Sequence, residues 1–284
     1  MTIDTLLVAG AGQMGAGIVQ VAAVAGLEVV MIDVADEVLA RGRAGIEKSL
    51  GRLVDKGRMD AAARDAALAR IHTSTDIGAG KGADLFIEAA PEALDVKREL
   101  LRRAGATLRA DAVIATNTSS LSVTTLAGFV EGPQRFVGIH FFNPVPVMAL
   151  VEVVRGAETS DATLAAARTF VAAVGKTPIT VKDSPGFVVN RILFPMINEA
   201  ARACAEGVAS AADIDTGMKL GTNWPMGPLA LADLVGLDTT KAILETLERE
   251  LGDARYHPVE LLGELVAAGK LGRKSGAGFY GYGA

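Results

Sequence analysis

The chain has little of what several function classes require. Cys204 is its single cysteine, so an internal disulfide and a cysteine-based metal centre are excluded, and the composition fits a reducing compartment such as the cytoplasm. Histidine occurs three times, at positions 72, 140 and 257, which leaves few candidates for proton transfer near neutral pH. An excess of positive charge is missing too: 28 basic and 33 acidic residues are interleaved to a net charge of −5. Such a balance gives nucleic acid or an anionic membrane no electrostatic footprint, and neither is expected as a partner. No apolar run reaches membrane-spanning length without a charge, proline or polar break. The start M-T-I-D-T enters a strand-like run almost at once, which is read as leaving no room for a signal or transit peptide.

Apolar residues, by contrast, make up half of the 284 positions, enough for one large or two ordinary domains with real cores. The most informative stretch is G-A-G-Q-M-G at 10–15. It follows the apolar run 5–9, as expected of a strand buried on both faces, and opens a helical pattern. Gly10 permits a sharp turn, Gly12 lets backbone approach a pyrophosphate, and Gly15 lets the helix pack close to the sheet. The helix start, with Gln13 and Met14, supplies N–H groups and a partial positive charge. Asp33 closes the next apolar run, 18 residues past Gly15. A carboxylate there accepts from a ribose diol and repels a 2′-phosphate, which predicts NAD rather than NADP.

Beyond this unit, strand patterns at 71–73, 85–87, 113–116, 136–140 and 150–154 alternate with helical patterns at 37–56, 60–70 and 94–106. A helix at 161–174 and a run at 178–181 complete the series. This order predicts a Rossmann-like, doubly wound α/β domain with a mostly parallel sheet over residues 1–183. Lys182-Asp183-Ser184-Pro185-Gly186 punctuates the chain. Five helical patterns follow, at 187–206, 211–220, 229–235, 238–250 and 258–268, and predict an all-α C-terminal domain over 184–284. Its apolar Leu229, Leu231, Leu234, Val235 and Leu237 exceed what one sheet edge would cover, which points to a homodimer.

His140 ends the strand V-G-I-H, where ligands bind in open parallel sheets. It reads either as a catalytic base or as a satisfied core histidine. His72 and His257 read as structural. Glu152 is the one carboxylate in the otherwise apolar 147–154, costly to bury unless paired. Paired to one imidazole nitrogen it would fix the tautomer and assign proton exchange to the other; the alternative is a surface carboxylate on an edge strand. Asn117-Thr118-Ser119-Ser120 follows another strand end, where such a cluster caps a helix as readily as it meets a ligand.

Together these motifs resemble the (S)-3-hydroxyacyl-CoA dehydrogenases. The resemblance spans the chain: G-A-G-Q-M-G at 10–15, N-T-S-S-L at 117–121, H-F-F-N-P-V-P-V-M at 140–148, L-V-E-V at 150–153, D-S-P-G-F-V-V-N-R at 183–191, P-M-G-P at 225–228, D-L-V-G-L-D-T at 233–239 and K-S-G-A-G-F-Y at 274–280. It implies NAD as cofactor and an acyl-CoA substrate, with His140 as catalytic base and Glu152 as its orienting acid. Ser119 and Asn190 match the groups that hydrogen-bond the substrate's 3-oxygen, and Asn143 the asparagine beside nicotinamide and substrate. Glu92, Lys97, Asn117 and Lys274 match positions at the NAD site. Ser49 and Lys56, two helical turns apart and so on one face, match a pair that meets coenzyme A, although Lys56 reads equally well as a solvated helix lysine. Closure of the helical domain about 182–186 would exclude water. The substrate left open by the resemblance is 3-hydroxybutyryl-CoA, a longer chain, or hydroxyadipyl-CoA. Two rivals remain: a β-hydroxyacid dehydrogenase, which uses a lysine base, and a non-catalytic dinucleotide-binding protein like the lens crystallins of this lineage.

Overall fold

A computed structural model describes residues 2–283, which fall into two compact units divided between Ser184 and Pro185. The division lies one residue beyond the boundary expected from composition.

The first unit is built on β1 (Thr5–Ala9), β2 (Glu28–Ile32), β3 (Ile71–Ser74), β4 (Leu85–Glu88), β5 (Val113–Thr116), β6 (Phe136–Phe141), β7 (Leu150–Arg155) and β8 (Thr177–Lys182). They form one sheet in the order β3-β2-β1-β4-β5-β6-β7-β8. The helices are α1 (Gln13–Val24), α2 (Asp36–Asp55), α3 (Ala61–Ala69), α4 (Leu94–Thr107), α5 (Val123–Ala127) and α6 (Asp161–Ala173). Every residue of β4, β5 and β6 is buried, as the continuous apolar runs require of strands covered on both faces. Each Leu, Val or Ile removed from water there contributes about 1.5–3 kcal/mol. The sheet is parallel except between β6 and β7. Only residues 142–149 join those two strands, too few for the crossover of a dozen or more that a parallel pair needs. β7 and β8, joined through α6, are again parallel to each other.

Local chemistry sets the helix starts. Asp60, Ser122 and Ser160 accept from the backbone N–H three residues on and cap α3, α5 and α6. α1 differs: its N-cap is Gly12, and no side chain caps it. α5 was not anticipated, because five residues beginning Val-Thr-Thr carry no helical periodicity.

The second unit is helical: α7 (Val189–Ala205), α8 (Ala211–Gly221), α9 (Pro228–Val235), α10 (Leu237–Leu251) and α11 (Glu260–Ala267). α7 starts two residues later than expected, after Gly186 and Phe187 turn the chain with φ of +72° and +49°. Phe194, Ile197, Leu229, Leu237, Leu244 and Leu262 form its core. Two buried aspartates organise the rest. Asp215 accepts from the N–H groups of Leu229 and Ala230, capping α9 from a distance, and from the Tyr280 hydroxyl at 2.6 Å. Asp233 accepts from the N–H groups of Phe279 and Tyr280 and from the Tyr282 hydroxyl. A Cβ on Gly278 would lie 1.9 Å from Asp233 Oδ1, so the glycines of K-S-G-A-G-F-Y let the tail reach that carboxylate. Burial, and then the hydrogen bond to Asp215, raises the Tyr280 phenol above its ordinary pKa. Of the five apolar residues read as surplus, Leu229 and Leu237 are fully buried and belong to this core. Leu234 of the five is exposed, and the other outward large apolar residues described in this unit are Val188, Ile192, Val208 and Leu220. Among the described residues no helix is long and apolar enough to cross a membrane, and no His, Cys, Asp and Glu cluster could hold a metal ion.

Candidate active site

The turn from β1 into α1 separates its three glycines physically. A Cβ on Gly10, whose φ is +110°, would lie 2.4 Å from the Ala89 carbonyl oxygen. A Cβ on Gly15 would lie 1.8 Å from the carbonyl oxygen of Gly10. Both glycines are demanded by the chain's own packing. A Cβ on Gly12 would meet nothing within 4 Å, and its φ of −70° and ψ of −172° suit any residue. Nothing inside the protein requires glycine there. Its small size leaves open the approach to the N–H groups of α1, which no side chain caps, and such an open helix start is how a pyrophosphate is held.

Asp33 stands at the end of β2 with Oδ2 accepting from Ala11 N–H and Oδ1 from Val34 N–H, both at 2.7 Å. It therefore braces the glycine turn as well as facing outward. Gly10, Gly12, Gln13, Met14 and Asp33 line a cavity of about 740 Å³, within the range of small-molecule sites. Its far wall, Val96, Leu100 and Arg103 of α4, was not foreseen; α4 reads from sequence only as an amphipathic helix. Residues, cavity and open helix end fit a dinucleotide.

A second group of polar residues collects at the carboxyl ends of β4, β5 and β6, which are parallel neighbours. Antiparallel pairing puts His140 directly opposite Glu152, with His140 Nδ1 2.7 Å from Glu152 Oε2. Both are buried, Glu152 completely. The Phe142 ring lies against the imidazole at 4.6 Å between centroids. Asn117 Oδ1 accepts from Phe141 N–H at 2.9 Å and ties the end of β5 to that of β6. Asn143 follows on an exposed turn whose carbonyls at Val145 and Met148 accept from Lys176 Nζ at 2.6 and 2.8 Å. Burial lowers the pKa of that ammonium.

Glu92 Oε1 accepts from the N–H groups of Ser119 and Ser120, both at 3.0 Å, and from the hydroxyls of Ser120 and Thr118. Burial pushes its carboxyl pKa up, but Lys97 and these hydroxyls outweigh it and hold the value below the ordinary one. Lys97 is 1% exposed and bonded to Glu88 at 2.7 Å and Glu92 at 3.1 Å, so its ammonium faces those carboxylates rather than the cavity. Glu88 was missed from the sequence. It is a lone carboxylate closing the apolar run L-F-I-E, and the argument that drew attention to Glu152 applies to it equally.

The remaining candidates stand elsewhere. Ser49 is half-buried on α2, and Lys56 is exposed at its end. On the second unit, Asn190 is half-buried in the first turn of α7, and Lys274 is paired with Asp238 at 2.6 Å. His72 and His257 are exposed beside Glu28 and Glu248.

Comparison with known proteins matches residues 5–184 to the NAD binding domain of 3-hydroxyacyl-CoA dehydrogenase and residues 186–282 to the C-terminal domain of the same family. A probable 3-hydroxybutyryl-CoA dehydrogenase of Deinococcus radiodurans is 50% identical over 275 residues, 97% of this chain and 99% of that protein. The human mitochondrial hydroxyacyl-coenzyme A dehydrogenase is 44% identical over 287 residues, 99% of this chain and 91% of the relative. Among solved structures, (S)-3-hydroxybutyryl-CoA dehydrogenase from Ralstonia eutropha superposes with a TM-score of 0.97 at 52% identity, with full coverage of both chains.

Proposed function

The chain belongs to the 3-hydroxyacyl-CoA dehydrogenase family, with NAD as cofactor, and on that premise we propose that it interconverts a short-chain (S)-3-hydroxyacyl-CoA and its 3-ketoacyl-CoA, foremost the 3-hydroxybutyryl and acetoacetyl pair. Membership sets aside the β-hydroxyacid dehydrogenase, and the intact set of Ser119, His140, Glu152 and Asn190 weighs against the non-catalytic rival. The observation that supports the chemistry is the buried His140 and Glu152 pair at 2.7 Å.

When bound, NAD supplies the hydride acceptor; the α1 N-terminus, Gly12 and Asp33 would hold it. Glu152 engages Nδ1 of His140 and so fixes ring orientation and tautomer. Proton exchange then falls to Nε2, which takes the 3-hydroxyl proton in oxidation and returns it in reduction. Ser119 and Asn190 donate hydrogen bonds to the 3-oxygen as charge develops on it. Asn143 orients the reacting ends, Glu92 and Lys274 line the NAD site with Asn117 close by, and Lys97 acts there through its pairing with Glu92. Ser49 and Lys56 contact coenzyme A.

The names of the Deinococcus and Ralstonia proteins favour the four-carbon substrate. The test is a kcat/KM series, followed by NADH absorbance, over 3-ketoacyl-CoAs of increasing length and one with a terminal carboxylate. Acetoacetyl-CoA should give the highest value. A maximum at the carboxylate-bearing substrate would instead identify a hydroxyadipyl-CoA dehydrogenase, and no turnover with any would refute the reading.

We also assign a homodimer formed through the helical unit and a cytoplasmic location. Ile192 on α7 and Leu220 on α8 are 66% and 80% exposed, apolar surface that association would cover. Light scattering at micromolar concentration should give the dimer mass; a monomer mass refutes it.

A further inference from the structure

Glu88 carries no role in the reading above, yet it is fully buried with its carboxylate saturated. Oε1 accepts from Ala90 N–H at 2.6 Å and from Lys97 Nζ at 2.7 Å. Oε2 accepts from the Thr116 hydroxyl at 2.7 Å and from Lys97 Nζ at 2.9 Å. Two routes lead from these oxygens to one segment. Lys97 passes from Glu88 to Glu92, whose Oε1 receives the N–H groups of Ser119 and Ser120. The Thr116 hydroxyl, donating to Glu88, accepts from Thr118 N–H at 3.2 Å. Consecutive amides at 118, 119 and 120 are thus held through one carboxylate. The Ser119 side chain itself is exposed, so its direction is set by this backbone.

We propose that Glu88 is a positioning residue: through Lys97 and Glu92 on one side and Thr116 on the other, it fixes the Thr118–Ser120 backbone and aims the Ser119 hydroxyl at the reacting oxygen. The proposal rests on the assignment of Ser119 to that oxygen. It follows from acceptor count. Each carboxylate oxygen serves two donors, and a glutamine has one acceptor oxygen and a donor NH₂ in their place. Glu88→Gln keeps the shape, but in either orientation its NH₂ faces the Lys97 ammonium, which bonds both oxygens, and beside it either Ala90 N–H or the Thr116 hydroxyl. Buried donors left facing a donor then rearrange.

Two readouts test this. Hydrogen exchange at the amides of residues 118–120 needs no substrate and should accelerate tenfold or more in Glu88→Gln. With acetoacetyl-CoA and NADH, kcat should fall about 10–100-fold, the effect of a misplacement near 1 Å. Combining Glu88→Gln with Lys97→Met removes the stranded cation and should recover most of the melting temperature, but neither kcat nor amide protection. Wild-type exchange or wild-type kcat in Glu88→Gln overturns the proposal. So does recovery of kcat together with melting temperature in the double variant, because Glu88 would then act only through fold stability. Should the single variant fail to fold, the double variant carries both readouts. A wild-type enzyme inactive on every 3-ketoacyl-CoA sinks the proposed function alone, and the exchange measurement still decides this inference.

Discussion

Replacing Gly12 with alanine should separate cofactor binding from folding. The new methyl meets no atom within 4 Å and the backbone conformation is one alanine adopts. Two small terms act on stability. Alanine is a poorer N-cap than glycine by about 0.5–1 kcal/mol, and restricting the unfolded chain returns about 0.4–1 kcal/mol. They offset to within about 1 kcal/mol, a shift of about 2–4 °C in Tm for a domain of this size. The methyl does occupy the approach to the α1 N–H groups, so NADH affinity should fall at least about tenfold, or about 1.4 kcal/mol. Gly15→Ala gives the contrast: its Cβ would sit 1.8 Å from a backbone carbonyl oxygen, and relieving that overlap moves α1 off the sheet. A loss above about 4 kcal/mol, or no folded protein, is expected. Thermal melts and NADH fluorescence titrations of the two variants decide the matter. Wild-type NADH affinity in Gly12→Ala would refute the placement of the pyrophosphate, and a large fall in its Tm would refute the account of open space.

Asp33→Ala removes the ribose acceptor and the repulsion of a 2′-phosphate, so paired Kd measurements should show NAD weakened and NADP improved. An unchanged ratio would move the discriminating group elsewhere. His140→Ala should lower kcat by about 10²–10⁴-fold, with NADH binding little changed. Glu152→Gln should also depress kcat, and the double variant should be far less impaired than the product of the singles, because the pair acts as one unit; multiplicative losses would break that link. Glu92 should mark the acid limb of stability. Its folded pKa lies below the ordinary 4.5, so its contribution is complete above that pH and is lost as pH falls through the lower folded value. In melts between pH 3 and 7, Glu92→Gln should be less stable at neutral pH and flatter on the acid side; parallel curves would argue against the pairing with Lys97.

Much of the first unit is legible in the sequence because strands covered on both faces are written as unbroken apolar runs. β1 and β5 match the expected spans to the residue. The reversal between β6 and β7 was not read, although eight intervening residues are too few for a crossover. Surface was misjudged in the helical unit, where Leu229 and Leu237 are core: helical periodicity gives a face, not what covers it. At the site, Glu152 stood out as a carboxylate among apolar residues. Glu88 did not, although Ile87 and Ala89-Ala90 flank it, because it closes its strand instead of interrupting one. Its partner Lys97 sits nine residues away, and nothing in that spacing predicts a triad with Glu92. Only the parallel packing of β4 beside β5 brings Thr116 to it.

The cross-strand placement of His140 and Glu152 also bears on how this protein can diversify. Their spacing belongs to a ladder, and β7 is locked on both flanks, by four residue pairs to β6 and six to β8. Between the two strands, Val145 is buried and its carbonyl and that of Met148 are held by Lys176, whereas Val147 is 74% exposed. Exchanges of the exposed side chains at Pro146 and Val147 can accumulate in a lineage, or be sampled in a library, while the dyad keeps its geometry.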